Sequence, residues 1–409
     1  MPLSRHFYAL DEVQAALSYT TSRYDAKEAL FWCQEMISSG CIGECISTLF
    51  ESWLWHKGPF ALSWLLHAWA TLQSNELSED AILLSAYQLT SRKKDHSLWN
   101  ILLLSNDLPD RVTPKTPPLS TSLNEKERYF LRAIYQGKAH SAWWISRYMD
   151  KSRVWDLLTQ YVATSMYAES YRMCFEALQG YEHLLGYRSD EYDEIVRCMA
   201  VLSACLSLEK QKESFTALPC TMDVRMNGCI EDWRLHVGRK ANRSYAIPTA
   251  CLYGRTHRGI MQWSQHNLVQ LNCVEKYIIG CPFWEEALLE YGVIHEKDIQ
   301  WISDEKREAF YQRYFPDDIP DEWTLLDKKK SHGDGVLGPT EQVTLLKYAR
   351  TYLSGSSMYA WNTTKKVHAE LEKRQLVDCD PSNVVSLGVT NLLNESLLEP
   401  IHKRCIIKA

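Results

Sequence analysis

From Asp25 onward, apolar residues recur at helical spacing. Asp25 with Glu28 three residues later is a capping-box signature, and Ala26, Ala29, Leu30, Cys33 and Ile37 then share one face. Ser39-Gly40 ends that helix. The spacing predicts a second helix over Cys45–Trp55, stopped by Gly58-Pro59, and a third over Phe60–Leu72. Ser78 caps a fourth whose stripe is Ala81, Leu84, Ser85 and Gln88. The pattern then breaks between Asn106 and Asn124, where Pro109, Pro114, Pro117 and Pro118 sit among Ser, Thr and Asp, the composition of a linker. Asn124 and Glu127 form a second capping pair for a helix through Tyr129–Tyr135 that ends at Gly137. Long aromatic-rich helical patterns follow over Ala139–Leu208, separated by Asp150, Gly180 and Gly186, with no fixed repeat period.

Beyond Phe215, Gly and Pro become frequent and the elements shorter. Two helices stand out there, one opening at Pro282 and running through Leu289, the other over Asp304–Tyr314, capped by Ser303. Thr340 caps a further helix to Leu353, and Tyr359–Arg374 reads as another, followed by a docked extension or arm. The expected fold class is therefore mainly α: helical hairpins and a helical array with a loop-rich C-terminal region. Its expected segments are an N-terminal helical domain (1–106), a Pro-rich linker (107–124), a central helical array (125–212), a loop-rich region (213–343) and C-terminal helices with an extension (344–409).

Composition narrows the class further. In 409 residues, 45% are hydrophobic and 23% charged, with 15 Trp, 22 Tyr and 10 Phe, which excludes a disordered or collagen-like chain. Only 17 Gly and 14 Pro punctuate it, against a turn-rich β-sandwich or barrel. A formal charge of −6 gives no global attraction to a polyanion. Trp53–Leu72 is the most apolar stretch, but His56, Lys57, Gly58, Pro59 and His67 interrupt it, so no membrane span is expected. Thirteen Cys, an odd number spread along the chain, read as reduced thiols. With no apolar leader at Met1–Leu10, a cytoplasmic protein is expected, and the sequons at Asn242, Asn362 and Asn394 are chance matches.

The chemically unusual stretch is Arg234–Gly259, which holds Arg234, Arg239, Lys240, Arg243, Arg255 and Arg258 with His236 and His257 and no acidic residue. Arginine forks near glycine backbone suit phosphate oxygens, and Tyr245 or Tyr253 offers a ring to stack on a base. The preferred reading pairs these cations internally or at a subunit interface, because Glu285–Glu322 holds twelve Asp/Glu against four Lys/Arg. Cys41 and Cys45 with His56, and Cys220 and Cys229 with His236, are the groupings nearest to zinc ligands. Neither has the close-paired spacing that lets two ligands reach one ion, so no metal and no cofactor are expected. Cys281, in Gly280-Cys-Pro-Phe-Trp, opens a helix, where the dipole lowers a thiol pKa; a buried capping Cys is the preferred reading. His332 and Asp334 share a flexible loop and are candidates for general-base work. The chain has no P-loop, no dinucleotide fingerprint, no His-Glu-x-x-His and no kinase set.

Two resemblances add to this reading. Ala16-Leu17-Ser18, Ala26–Trp32, Met36, Ser39-Gly40 and His67-Ala68-Trp69 resemble the helical collar region of clamp-loader-related AAA+ proteins. The ATPase half that defines that family is missing, so the resemblance implies oligomer-forming helical packing without ATP-driven remodelling. Gly238–Pro248, Glu275–Trp284 and Tyr314–Trp323 with Ser331-His332-Gly333 resemble segments of helical proteins from nucleocytoplasmic large DNA viruses. That implies a viral origin and a virion or cytoplasmic-factory setting, and it transfers no catalytic residues. Together these readings lead to a non-enzymatic helical interaction or scaffold protein, a viral assembly or replication accessory, with protein partners or self-association. The alternative is a nucleic-acid-binding accessory that uses the Arg234–Arg258 segment, and the third reading is an enzyme of unknown class built on Cys281, His332 or Asp334.

Overall fold

The computed structural model describes residues 2–235, apart from 9, 75–76, 96, 105–107, 110, 116–122, 189, 207–214, 216–217 and 219–220, and residues 275–314 apart from 297. The helices predicted over 340–353 and 359–374, like the segment 344–409 as a whole, lie outside the described residues. Of the described residues, 70% are helical, with a single two-stranded sheet, so the fold is mainly α.

Caps set the helix boundaries. α1 covers Leu10–Ser22 and α2 Ala26–Ser38; Asp25 accepts the Glu28 N–H at the start of α2. Gly40, at φ +78°, turns the chain into α3, Ile42–His56. A short 3₁₀ turn over Gly58–Ala61 precedes α4, Leu62–Gln73, so the predicted helix over Phe60–Leu72 begins as a tighter coil. Ser78 caps α5, Glu79–Ser91, and α6 is Ser97–Leu103. The Asn124–Glu127 capping box is fully formed at α7, Glu125–Tyr135, with each side chain bonded to the other's backbone N–H. α8 (Ala139–Ser146), α9 (Lys151–Val162, capped by Asp150), α10 (Ala168–Gln179), α11 (Tyr181–Leu185) and α12 (Asp190–Ala204) complete the array.

Asp223 caps α13, Val224–Arg234, a helix the sequence pattern does not reveal. α14 is Glu275–Ile278, and α15, Pro282–Leu289, opens on the predicted proline. β1 (Gly292–His295) and β2 (Asp298–Trp301) then form an antiparallel hairpin in which Val293 faces Gln300 and Ile294 faces Ile299. Strands of four residues give too short an alternation to separate from helix ends, which is why the pattern suggests only loops here. α16, Asp304–Tyr314, closes the described chain behind Ser303.

One apolar core runs through these elements. α2 lies at the centre of the N-terminal layer, against α1, α3, α5 and α13. α3 meets α11, α4 meets α10, and α12 packs on α8, α9 and α10, so residues before and after the Pro-rich segment share this core. Trp32, Trp53, Trp55, Trp64 and Trp143 are fully buried. Burying an indole requires a partner for its N–H: Trp53 donates to the Ala61 carbonyl at 2.9 Å and Trp64 to that of Ser85 at 2.8 Å. In the Pro-rich segment, Gln136 bonds the backbone of Thr113 and Lys115, and Leu123 is buried. Across the two helical layers, the Ser47 hydroxyl donates toward the C-terminal carbonyls of α11, 2.9 Å from that of Leu185.

Gly180 marks a close approach of α4 to the turn between α10 and α11, since a Cβ there would stand 2.5 Å from Cη2 of the buried Trp69 ring. Gly180→Ala is expected to destabilise the fold by about 1–3 kcal/mol, the usual cost of overpacking a rigid contact. Urea unfolding checks this; an unchanged midpoint would show that the layers separate without cost.

Candidate functional site

The most concentrated buried chemistry surrounds Glu35, a carboxylate beside Gln34 in the buried stretch Phe31–Ile37 of α2 and 0% exposed. A buried charge requires compensation, and three parts of the chain supply it. Residues 2–8 cross α2 as an arm. Its turn is closed by the Phe7 N–H on the Ser4 carbonyl at 2.9 Å, with Phe7 held at φ +64°. From this arm, Ser4 Oγ donates to Glu35 Oε1 at 2.5 Å and the His6 N–H donates to the same oxygen at 2.9 Å. His6 Nδ1 reaches Oε2 at 2.6 Å, and Trp233 Nε1, from α13, donates to Oε2 at 2.9 Å. Each carboxylate oxygen thus takes two donors.

Electrostatics follow from that geometry. Burial opposes ionisation of Glu35, but the charge on His6 and hydrogen bonds from His6 and Ser4 outweigh it, bringing the carboxyl down to about 2. Aromatic contacts seal the knot. Trp284 Nε1 donates to the Ser4 carbonyl at 2.9 Å, Phe7 stacks on Trp284, and the Arg5 guanidinium lies 4.9 Å from the centre of the Phe283 ring.

A thiol pair adjoins the knot. The Ser39 carbonyl accepts the Phe283 N–H at 3.2 Å and has Cys281 Sγ 3.4 Å away and Cys41 Sγ 3.8 Å away. The loops meet so closely that a Cβ on Gly40 would lie 2.7 Å from Pro282 Cβ. A hydrogen bond from Cys41 holds the Cys281 thiol below its ordinary value against the opposing effect of burial, and the Phe283 and Trp284 N–H groups add to this. The same contact, with burial, pushes the Cys41 thiol well above its ordinary value.

Ser, His and Glu together have the composition of a nucleophilic triad, but their arrangement differs. A working triad passes the Ser proton to the His ring, which the carboxylate orients. Here the Ser4 proton points at Glu35, and Ser4 Oγ accepts the Tyr8 N–H at 3.1 Å with the whole residue buried. The hydroxyl fastens the arm and is not presented to a substrate.

The sequence-predicted residues fall in different places. Arg234 lies in the last turn of α13, about half exposed, 3.8 Å from Glu231, so its nearest acid is on its own helix. Arg239, Lys240, Arg243, Tyr245, Arg255, His257 and Arg258 lie outside the described residues, as do His332, Asp334, Cys220 and His236. Cys281 sits buried at the N-terminus of α15, beside Cys41. Cys45 instead meets Cys33, with the sulfurs 3.5 Å apart, so Cys41 and Cys45 face different thiols. Among the described residues, no three His, Cys, Asp or Glu side chains are grouped to hold a metal ion, and the described cysteines are free thiols. No helix among them is long and apolar enough to cross a membrane. Sequence reasoning missed Glu35, His6, Ser4 and Trp233; the available signal is a carboxylate between Cys33-Gln34 and Met36-Ile37 in a largely apolar stretch of helix. No known protein family, curated protein or solved structure matches this chain.

Because the folded pKa of Glu35 lies below the ordinary value of 4.5, its stabilisation is complete above that value and is lost as pH falls toward 2. The shift corresponds to ~3 kcal/mol. Glu35→Gln is expected to lower thermal stability at neutral pH and to flatten the acid limb of the stability profile between those values. A variant whose acid limb matches the parent would remove Glu35 from this role.

Proposed function

We propose that the chain is a non-enzymatic helical interaction protein that works by self-association. The observation that carries this reading is the direction of the Ser4 and His6 donors. The buried Ser4, His6 and Glu35 set, for all its catalytic composition, is spent on a single carboxylate and closes the fold, so the reading places function on the surface. The β1–β2 hairpin supports it. Leu289, Val293 and Ile302 are 62%, 53% and 65% exposed, and Val293 and Gln300 pair on the face turned away from buried Ile299. The sheet has only two strands, so each has an edge without a strand partner among the described residues, the kind of edge on which another strand can pair. The resemblance of Glu275–Trp284 and neighbouring segments to large-DNA-virus proteins favours an assembly or replication accessory as the setting.

Sedimentation velocity over a concentration series tests this reading. The parent chain is expected to associate as concentration rises. The triple variant Leu289→Ser, Val293→Thr, Ile302→Ser is expected to stay monomeric with nearly unchanged melting, since exposed substitutions cost ~0.5 kcal/mol or less each. A parent chain that remains monomeric throughout, or a variant that associates equally well, would overturn it.

A further inference from the structure

Two helices meet at their first residues beside the Glu35 knot, and each begins on a cysteine. Cys41 is the N-cap of α3 and Cys281 the N-cap of α15, and each follows a glycine in the left-handed region, Gly40 at φ +78° and Gly280 at φ +97°. The two turns run antiparallel. The Phe283 N–H donates to the Ser39 carbonyl at 3.2 Å, and one step along, a Cβ on Gly40 would stand 2.7 Å from Pro282 Cβ. A further step sets position 41 opposite position 281. Both sulfurs lie against the Ser39 carbonyl oxygen, Cys281 Sγ at 3.4 Å and Cys41 Sγ at 3.8 Å, and the two thiols are hydrogen-bonded to each other. Residues opposed in antiparallel chains have Cα atoms ~4.5–5.5 Å apart, within the ~4.4–6.8 Å that a disulfide spans.

The two thiols are not equivalent. The hydrogen bond from Cys41 holds Cys281 below its ordinary value while burial opposes it, and the same contact, with burial, pushes Cys41 up. Cys281 is therefore the better nucleophile of the two and Cys41 the proton donor. Both are buried, but Gly40, Gly280 and Pro282 beside them are exposed, so only the outer turns separate the pair from solvent. A second thiol pair offers a contrast. Cys33 and Cys45 have sulfurs 3.5 Å apart, yet both lie fully buried inside helices, and the contact with Cys33, with burial, pushes Cys45 well above its ordinary value.

We propose that Cys41 and Cys281 are a redox-responsive pair that hydrogen peroxide oxidises to a disulfide, covalently fastening α15 to the turn between α2 and α3. Cys281 Sγ, as thiolate, attacks one peroxide oxygen. The O–O bond breaks, Cys281 becomes a sulfenic acid, and the departing hydroxide takes the Cys41 proton and leaves as water. Cys41 Sγ then attacks Cys281 Sγ. The S–S bond forms, the S–O bond breaks, and the hydroxide leaves as a second water with the proton that Cys281 gave up on ionising. Two thiols are oxidised to one disulfide while one peroxide is reduced to two waters. The bond locks the joint between the helical layers and the hairpin. It uses none of Leu289, Val293 or Ile302, so it stands or falls apart from the self-association proposed above.

Peptide mapping of the full chain tests the pair. After a slight excess of hydrogen peroxide, alkylation in denaturant and digestion without reductant, mass spectrometry is expected to show Cys41 linked to Cys281, with Cys33 and Cys45 alkylated as free thiols. The oxidised chain is expected to melt about 5 °C higher than the reduced one, and dithiothreitol to reverse that shift. Cys41→Ser is expected to halt the reaction at the sulfenic acid, which dimedone labels at Cys281, whereas Cys281→Ser leaves Cys41 unlabelled. Absence of the Cys41–Cys281 link in the folded parent, or a Cys33–Cys45 link formed in preference to it, would overturn the proposal, and the parent chain alone decides this whatever the stability of the variants.

Discussion

A single buried carboxylate sets the terms for much of this molecule. Glu35 is carried on a helix that the core encloses, and four donors from residues 4–6 and 233 keep it ionised there. An unpaired charge at that depth would be prohibitive, so the arm, α2 and α13 hold together or come apart together. α15 joins the same assembly through the Trp284 indole on the Ser4 carbonyl and the Phe283 N–H on the Ser39 carbonyl. The arm therefore acts as the link between the helical layers and the hairpin.

Around this link, the aromatic content does two kinds of work. Fully buried indoles fill the helical layers, and the N–H groups of Trp53 and Trp64 find backbone carbonyls, those of Ala61 and Ser85. Other rings carry cations: Arg5 over half-buried Phe283, Lys57 under exposed Tyr24, Lys93 by buried Phe60. In a chain with few glycines and prolines, this lets charged residues lie on aromatic surface without an acid beside each one.

What the sequence reveals and what it hides follow the same division between local and distant contacts. Helix starts at Asp25, Ser78, Asn124 and Ser303 are legible because a cap and its N–H partner lie within a few residues, and the start at Pro282 because proline suits the first turn. The hairpin is not legible, since four-residue strands give no periodicity of their own. Glu35 and Lys57 are invisible as special residues because their partners are distant in sequence: Trp233 is 198 residues from Glu35, and the Arg92 carbonyl 35 from Lys57. Cys281 was legible as a helix-opening thiol, but its neighbour Cys41 was not. The basic run after Arg234 stands out in composition, whereas Lys57 beneath the Tyr24 ring does not, because the two are 33 residues apart in sequence.

The separation between the arm and its partners also bears on how the chain is made. Synthesis proceeds at ~5–20 residues per second, so roughly ten to forty seconds pass between emergence of Glu35 and of Trp233, and longer before Trp284. During that interval α2 can pair with α1, α3 and α5, all neighbours in sequence, while its carboxylate lacks one indole donor and the arm has no Trp284 to rest on. Until then the nascent N-terminal layer leaves Glu35 open to water, and the later-made α13 and α15 close over it. A ribosome stalled before Trp233 would hold a helical intermediate whose polar centre is still wet.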